Sequence, residues 1–339
     1  MDNLDNILEL IKFNEKTALK FNKVETKILS ILNFKDFFEV LLTDIIISFQ
    51  IPFVWLTVIE ETDFSEMLDN IESKLVKNHL KLIKKDDFYQ YIKDKTKPLL
   101  INDDLKKYSK FIQKDILKPV KSIAIAPISI DGKLIGSLNQ GDISVSRFQP
   151  GIDTSLLEQL TLKVSLCLSN VTAHEKLKFL AYHDPLTGLL NRRIMETALK
   201  REFERTKRYN SPLSVIFSDL DNFKIINDKY GHDIGDKILI FIADSLKGNS
   251  RSTEIVSRFA GDEFVIILPE TDLKAAKYYV QRAEDFFKTT PLKIGNEKLF
   301  ISLSFGIAST DSDEASDALA LLKIADEDLY VVKKEKKNI

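Results

Sequence analysis

The stretch VSRFAGDEFVIILPET, residues 256–271, reads as strand, tight turn, strand. Apolar runs flank Ala260, Gly261, Asp262 and Glu263, which puts two adjacent carboxylates at the tip of a buried hairpin. A second apolar run, LSVIFSDL (213–220), has the unbroken hydrophobicity of a strand covered on both faces. It ends in Asp219 and Asp221, flanking Leu220. Residues two apart on an extended chain point to one side, so both acids project at the edge of a sheet. Taken alone, this segment is equally a loop with two acids in it. With the hairpin tip beside it, Asp219, Asp262 and Glu263 make a cluster of three. Like charges this close are unfavourable unless a cation neutralises them. Oxygen-only ligands favour Mg2+ or Mn2+ over zinc.

Working outward, HDPLTGLLNRR (183–193) precedes these segments, and Asp184 is placed to cap a helix begun by Pro185. FISLSFGIAS (300–309) and ADEDLYVVKK (325–334) follow. Together with DLDNFKIINDKYGHDIGD (219–236) and AGDEF (260–264), they resemble the GGDEF family of diguanylate cyclases. The resemblance implies a central β-sheet flanked by helices, akin to the palm of nucleotide cyclases and polymerases. It implies condensation of two GTP into cyclic di-GMP and two pyrophosphates. Asp219, the Leu220 carbonyl, Asp262 and Glu263 would hold the metals, with Asp262 where the family places its base for the ribose 3′-hydroxyl. Asn227 and Asp236 would read guanine. A carboxylate only accepts hydrogen bonds, and guanine's edge offers two donors. Asn222, Phe223 and Lys224 would bind the β- and γ-phosphates, close to Gly261, with Lys333 and Lys337 adding charge at the phosphate tail. Each domain would hold one GTP, so the product's two-fold symmetry calls for a homodimer.

Three positions depart from the family pattern. Ala260 replaces the first Gly of the signature, at a cost of about 1 kcal/mol if φ is positive there. Lys337 stands where Arg is usual, losing a bidentate fork but keeping the charge. The inhibitory RxxD site reads Arg251-Ser252-Thr253-Glu254, with Arg282 matching its second arginine. The rival to an active enzyme is a degenerate receptor that binds GTP or cyclic di-GMP without turnover.

The N-terminal half reads as α/β. Leu4, Ile7, Leu8, Ile11 and then Ile28, Ile31, Leu32, Leu41, Leu42 and Ile45 recur at helical spacing, predicting two helices within 1–50. A break at Pro52 and a strand over 53–60 follow, then a helix around 65–82. SIAIAPISI (122–130) and LIGSLNQ (134–140) flank Asp131-Gly132, a two-residue hairpin signal. This order, with LIGSLNQGDISVSRFQPGIDTSLLEQL (134–160), resembles a GAF domain, assigned to 51–152. The resemblance implies an unknown small-molecule or protein signal. Trp55 and Cys167 read as core, and His79 and His174 as surface or packing residues rather than ligands.

Residues 153–181 read as one connecting helix before a catalytic domain over 182–339. Leu157, Leu160, Val164, Cys167, Val171 and His174 alternate spacings of three and four, a coiled-coil seam that then shifts to Leu177, Leu180 and Ala181. A helix packed on its own domain is the alternative.

A formal net charge of −2, with acids and bases evenly mixed, argues against a nucleic-acid partner. One cysteine fits a reducing compartment. The acidic N-terminus is no signal peptide and no apolar run is long enough to span a membrane, so a cytoplasmic protein is expected.

Overall fold

The computed structural model describes residues 2–69, 71–295, 297–312 and 315–337. The chain divides into two compact units, Met1–Leu177 and Lys178–Ile339.

The N-terminal unit is built on a five-stranded sheet, ordered Leu80–Ile83, Phe53–Ile59, Lys133–Asp142, Ser122–Ile130, Leu99–Ile101. Only the first pair is parallel. Side chains alternate along Phe53–Ile59. Val54, Leu56 and Val58 join one core, and Trp55 and Ile59 the other. The Asp131-Gly132 hairpin forms with φ of 50° and 76°, the double positive that a primed turn requires. The first two helices are Asp2–Ile28 and Phe34–Phe49. The second is capped by the Asn33 side chain and stopped by Gln50 in the left-handed region, just before Pro52. The helix expected around 65–82 is instead two short helices, Asp63–Asp69 and Lys74–Asn78, and then the strand Leu80–Ile83. Ser73 restarts the chain as an N-cap, and pairing with Phe53–Ile59 overrides helix propensity beyond His79.

A second correction concerns the long helix, Ser155–Tyr182. Leu157, Leu160, Val164, Cys167 and Val171 are not a free seam. All are buried in this unit's own core with Phe37, Phe38, Leu41 and Ile45. The helix is apolar on two sides. At about 100° per residue, Leu162, Leu166, Ala173 and Leu177 fall opposite the buried stripe, and all four are exposed.

The C-terminal unit has a five-stranded sheet ordered Leu303–Ser309, Leu213–Leu220, Glu263–Pro269, Ile255–Ala260, Leu190–Asn191. Helices cover both faces, so the whole is a mixed α/β architecture. Ile216, Leu220, Phe264 and Ile266 face the core that contains Ile238, Ile242, Tyr279 and Phe287 of two helices, His232–Asn249 and Leu273–Thr289. Val215, Phe217, Val265 and Ile267 face the other core, with Leu199 and Phe203 of Arg192–Tyr209 and Leu321, Leu322 and Ala325 of Ala318–Lys337. Gly306 sets the depth of that last helix. A Cβ there would lie 2.1 Å from the Ala325 carbonyl oxygen and 2.2 Å from the Leu329 nitrogen. The helix therefore lies directly on the sheet, and its last turns reach the strand ends that carry the acids.

Candidate functional site

Leu213–Leu220 is an inner strand, paired on both sides. Near its end, Asp219 stands opposite Glu263 on one neighbour and Ser304 on the other. Directly paired residues share a face, so the two carboxylates sit side by side. Asp262 occupies the two-residue turn between Ile255–Ala260 and Glu263–Pro269, and its carbonyl accepts from the Leu220 N–H at 3.2 Å. The strain expected of Ala260 does not arise: the positive φ falls on Gly261, at 46°.

Burial raises the Asp219 carboxyl above its ordinary value; Asp262 and Asp221 add to this, while Lys333 opposes it. Glu263 is raised by burial and then by Asp219 and Asp262. The cluster is thus short of positive charge. The Lys333 ammonium meets part of that need by pairing with Asp219 Oδ1. The cluster of three acids expected from the sequence is not gathered as a ready metal centre among the described residues. The donor set still suits a hard divalent cation: the ligand atoms are oxygens, two carboxylates are destabilised as anions, and a cationic side chain already stands among them.

The sequence groups Asp221 with Asp219 as an edge acid, but its surroundings differ. It accepts from Ser302 Oγ and Ser304 Oγ, both at 2.6 Å, and from Lys336 Nζ at 3.0 Å. Burial pushes this carboxyl up, yet the two hydroxyls and the ammonium outweigh it and hold it below the ordinary value. None of the three partners was singled out in the sequence. Lys337, which was, has its side chain outside the described residues.

Asn222 turns the chain with φ 60° and opens the helix Phe223–Tyr230. Its side chain makes no cap, so first-turn N–H groups beside the acids remain to meet an anion. Lys224 is exposed on this turn. Gly231, at φ 84°, joins this helix to His232–Asn249. Gly235 then packs against Asn227: a Cβ would come within 2.0 Å of Asn227 Oδ1. That oxygen is buried without a hydrogen-bond partner. Asp236 follows Gly235 and is exposed. The structure therefore brings Asn227 and Asp236 together through Gly235, a residue the sequence reading passed over. A buried amide oxygen without a donor is the mark of a site that expects one.

HDPLTGLLNRR forms a turn, not a helix start. Asp184 Oδ1 accepts from the Thr187 N–H (2.9 Å) and hydroxyl (2.8 Å) and from Arg258 (2.9 Å). The helix begins later, at Arg192, capped by Asn191. Arg258 also donates to the Gly261 carbonyl at 2.9 Å, tying this turn to the acid-bearing hairpin. Around Arg251, the Glu254 side chain is only 7% exposed and accepts from the Arg251 N–H at 2.7 Å. Arg282 donates to the Asn249 carbonyl and lies over the Tyr279 ring.

Residues 181–339 match the family model described as diguanylate cyclase, GGDEF domain. Diguanylate cyclase DosC of Escherichia coli is 40% identical over 156 residues, which are 46% of this chain and 34% of DosC. Response regulator PleD of Caulobacter vibrioides is 38% identical over 161 residues, 47% of this chain and 35% of PleD. The chain thus spans about a third of the length of these curated relatives. Among solved structures, the active GGEEF domain of a diguanylate cyclase from Vibrio cholerae is 33% identical, with a TM-score of 0.41, covering 43% of this chain and 92% of that one.

Proposed function

We propose that this protein is a diguanylate cyclase, joining two GTP into cyclic di-GMP with release of two pyrophosphates. The observation that carries the reading is the register of Asp219 against Glu263, with a cationic side chain already drawn to them. The 3′-hydroxyl oxygen of one GTP bonds to the α-phosphorus of the other. The bond to the β-phosphate oxygen breaks and pyrophosphate leaves with the electron pair. The hydroxyl proton passes to Asp262. Asp219, the Leu220 carbonyl, Asp262 and Glu263 would hold Mg2+ or Mn2+, which lowers the pKa of the attacking hydroxyl and neutralises the transferring phosphoryl group. Asn227 and Asp236 select guanine. The N–H groups at Asn222, Phe223 and Lys224, with Lys333 and Lys337, take the phosphates. Gly261 leaves the hairpin tip without a side chain beside them.

Two such sites must face each other, so the active form is a homodimer. With the Val164 stripe already buried, the face left for a second copy is Leu162, Leu166, Ala173 and Leu177. The N-terminal unit, read from its sequence as GAF-like, serves as the regulatory half, answering a small molecule or a protein. Among the described residues no helix is long and apolar enough to cross a membrane.

The test is incubation of the full chain with GTP and Mg2+, then nucleotide chromatography. Cyclic di-GMP and pyrophosphate are expected at a 1:2 ratio, with none after chelation of the metal. Tight GTP binding without product would leave a receptor instead.

A further inference from the structure

Lys336 lies outside every motif read from the sequence, yet it is tied to the acid cluster twice. Its ammonium is 3.0 Å from Asp221 Oδ2 and 2.8 Å from the Leu303 carbonyl oxygen. Asp221 is itself fixed by both serine hydroxyls, and its N–H donates to the Ser302 carbonyl at 2.9 Å. One turn earlier on the same helix, Lys333 holds Asp219. Asp219 and Asp221 are about 6.6 Å apart along a strand. Lys333 and Lys336 are about 4.5 Å apart along a helix. Flexible side chains close that difference, so the helix end is pinned to the strand end at two points.

The two pins are not equivalent. Asp219 is a proposed metal ligand, and its carboxylate cannot keep Lys333 and also take a divalent cation at the same oxygen. Asp221 is occupied by two hydroxyls and an ammonium, and the proposed chemistry makes no claim on it. We propose that the Lys336–Asp221 pair is a positioning clamp, which keeps the end of the Ala318–Lys337 helix at the acid cluster while Lys333 exchanges Asp219 for the phosphate tail of the nucleotide. The exchange conserves charge pairing: Asp219 gains a cation as Lys333 gains an anion. Without the clamp, Lys333 leaves Asp219 from a helix end that has lost its tie to the strand end, and the ordering of that turn is charged against nucleotide binding.

This inference rests on the cyclase reading, and the experiment separates the two. The full chain carrying Lys336→Met is titrated calorimetrically with α,β-methylene-GTP and Mg2+, and its kcat and KM are measured. Binding should weaken about tenfold, with KM rising in proportion and kcat changing less than about twofold. Lys336→Arg keeps the charge and reach and should restore most of the affinity. Mn2+ binding without nucleotide, followed by electron paramagnetic resonance, should match wild type, since Asp219, Asp262 and Glu263 are untouched. A half-exposed ion pair adds little to stability, so Tm should barely move. Unchanged analogue affinity in Lys336→Met overturns the clamp while leaving the cyclase reading intact. Loss of kcat together with a fallen Tm overturns it in favour of a purely structural contact. A wild-type chain that binds no analogue overturns the cyclase reading, and the clamp with it.

Discussion

In the N-terminal sheet, Thr57, Ser137 and Asn139 are all buried on the same face as Trp55. They bond to one another: the Asn139 amide bridges Ser137 at 2.9 Å and Thr57 at 2.8 Å, and Trp55 donates to the Phe111 carbonyl at 2.6 Å. The C-terminal sheet has the same number of strands, and its interior serines and Asp221 are bonded, but some polar groups near its strand ends are left in need. Asp219 and Glu263 are raised by burial and by neighbouring carboxylates, and Asn227 Oδ1 has no partner. A closed polar network stabilises a fold, because each buried group has met its partner. An open one spends stability on a ligand that has yet to arrive. By that measure the strand ends of the C-terminal sheet await a ligand. The Trp55 face of the N-terminal sheet is core.

The sharpest way to break this contrast is to neutralise one member of the open cluster. Asp262 sits in a turn and is partly exposed, so Asp262→Asn should fold normally. It removes a proposed ligand charge and the proposed base together, and turnover should fall by about a hundredfold or more. Steady-state assays with GTP and Mg2+ read the rate, and circular dichroism reads the fold. Activity above about a tenth of wild type would show that the acids at this sheet edge are not the reacting centre.

The same contrast decides which residues are legible in the sequence. Acids that interrupt an apolar strand or a tight turn stand out, so Asp219, Asp262 and Glu263 could be read directly. The Asp131-Gly132 hairpin and the break at Pro52 were legible for the same local reason. Lys336 was not: it differs from Lys337 by one residue, and one residue turns a helix by about 100°. Gly235 was missed because its role is to lack a side chain beside Asn227. The long helix was misread because it is apolar on opposite faces. Spacing alone detects each stripe but cannot say which one the chain covers for itself.

That helix gives the next test. Val164 is fully buried and Leu166 is 59% exposed, two residues along. Val164→Glu should destabilise the N-terminal unit by about 3–5 kcal/mol, the cost of an unpaired charge in a core. Leu166→Glu should leave Tm nearly unchanged, shift the chain towards monomer, and make activity depend more steeply on concentration. Calorimetry and sedimentation distinguish the two. A folded, monomeric Val164→Glu would return the dimer seam to the buried stripe.

A smaller effect comes from Asp184, a signature residue whose surroundings resemble the closed network. Burial pushes its carboxyl up, but the bonds from Arg258 and Thr187 outweigh this and hold it below its ordinary value. A depressed folded value contributes stability that is full above the unfolded pKa, about 3.9. That contribution is lost as pH falls through the folded value. Asp184→Asn should therefore cost about 1–2 kcal/mol near neutrality and converge on wild type in acid. Denaturation at a series of pH values checks this, and a constant difference down to the acid limit would contradict it.

The smallest effect concerns product inhibition. An inhibitory site of the RxxD kind needs an arginine and a carboxylate free to grip the product. Arg251 is 80% exposed and only loosely paired, its Nε 3.9 Å from Glu254 Oε1, but Glu254 is turned inward at 7% exposure and its other oxygen accepts from the Arg251 N–H. Gripping a ligand would require breaking that bond and turning a longer side chain outward. Arg282 is likewise committed, to the Asn249 carbonyl and the Tyr279 ring. What remains for cyclic di-GMP is the exposed charge of Arg251, and a single exposed contact is worth at most about 1 kcal/mol. Inhibition should accordingly be weak, and Arg251→Ala should change the inhibition constant by less than about fivefold. Submicromolar inhibition that disappears in Arg251→Ala would mean that Glu254 opens on binding. This corner of the C-terminal unit would then belong with the open cluster at the sheet edge, not with the closed network of the N-terminal sheet.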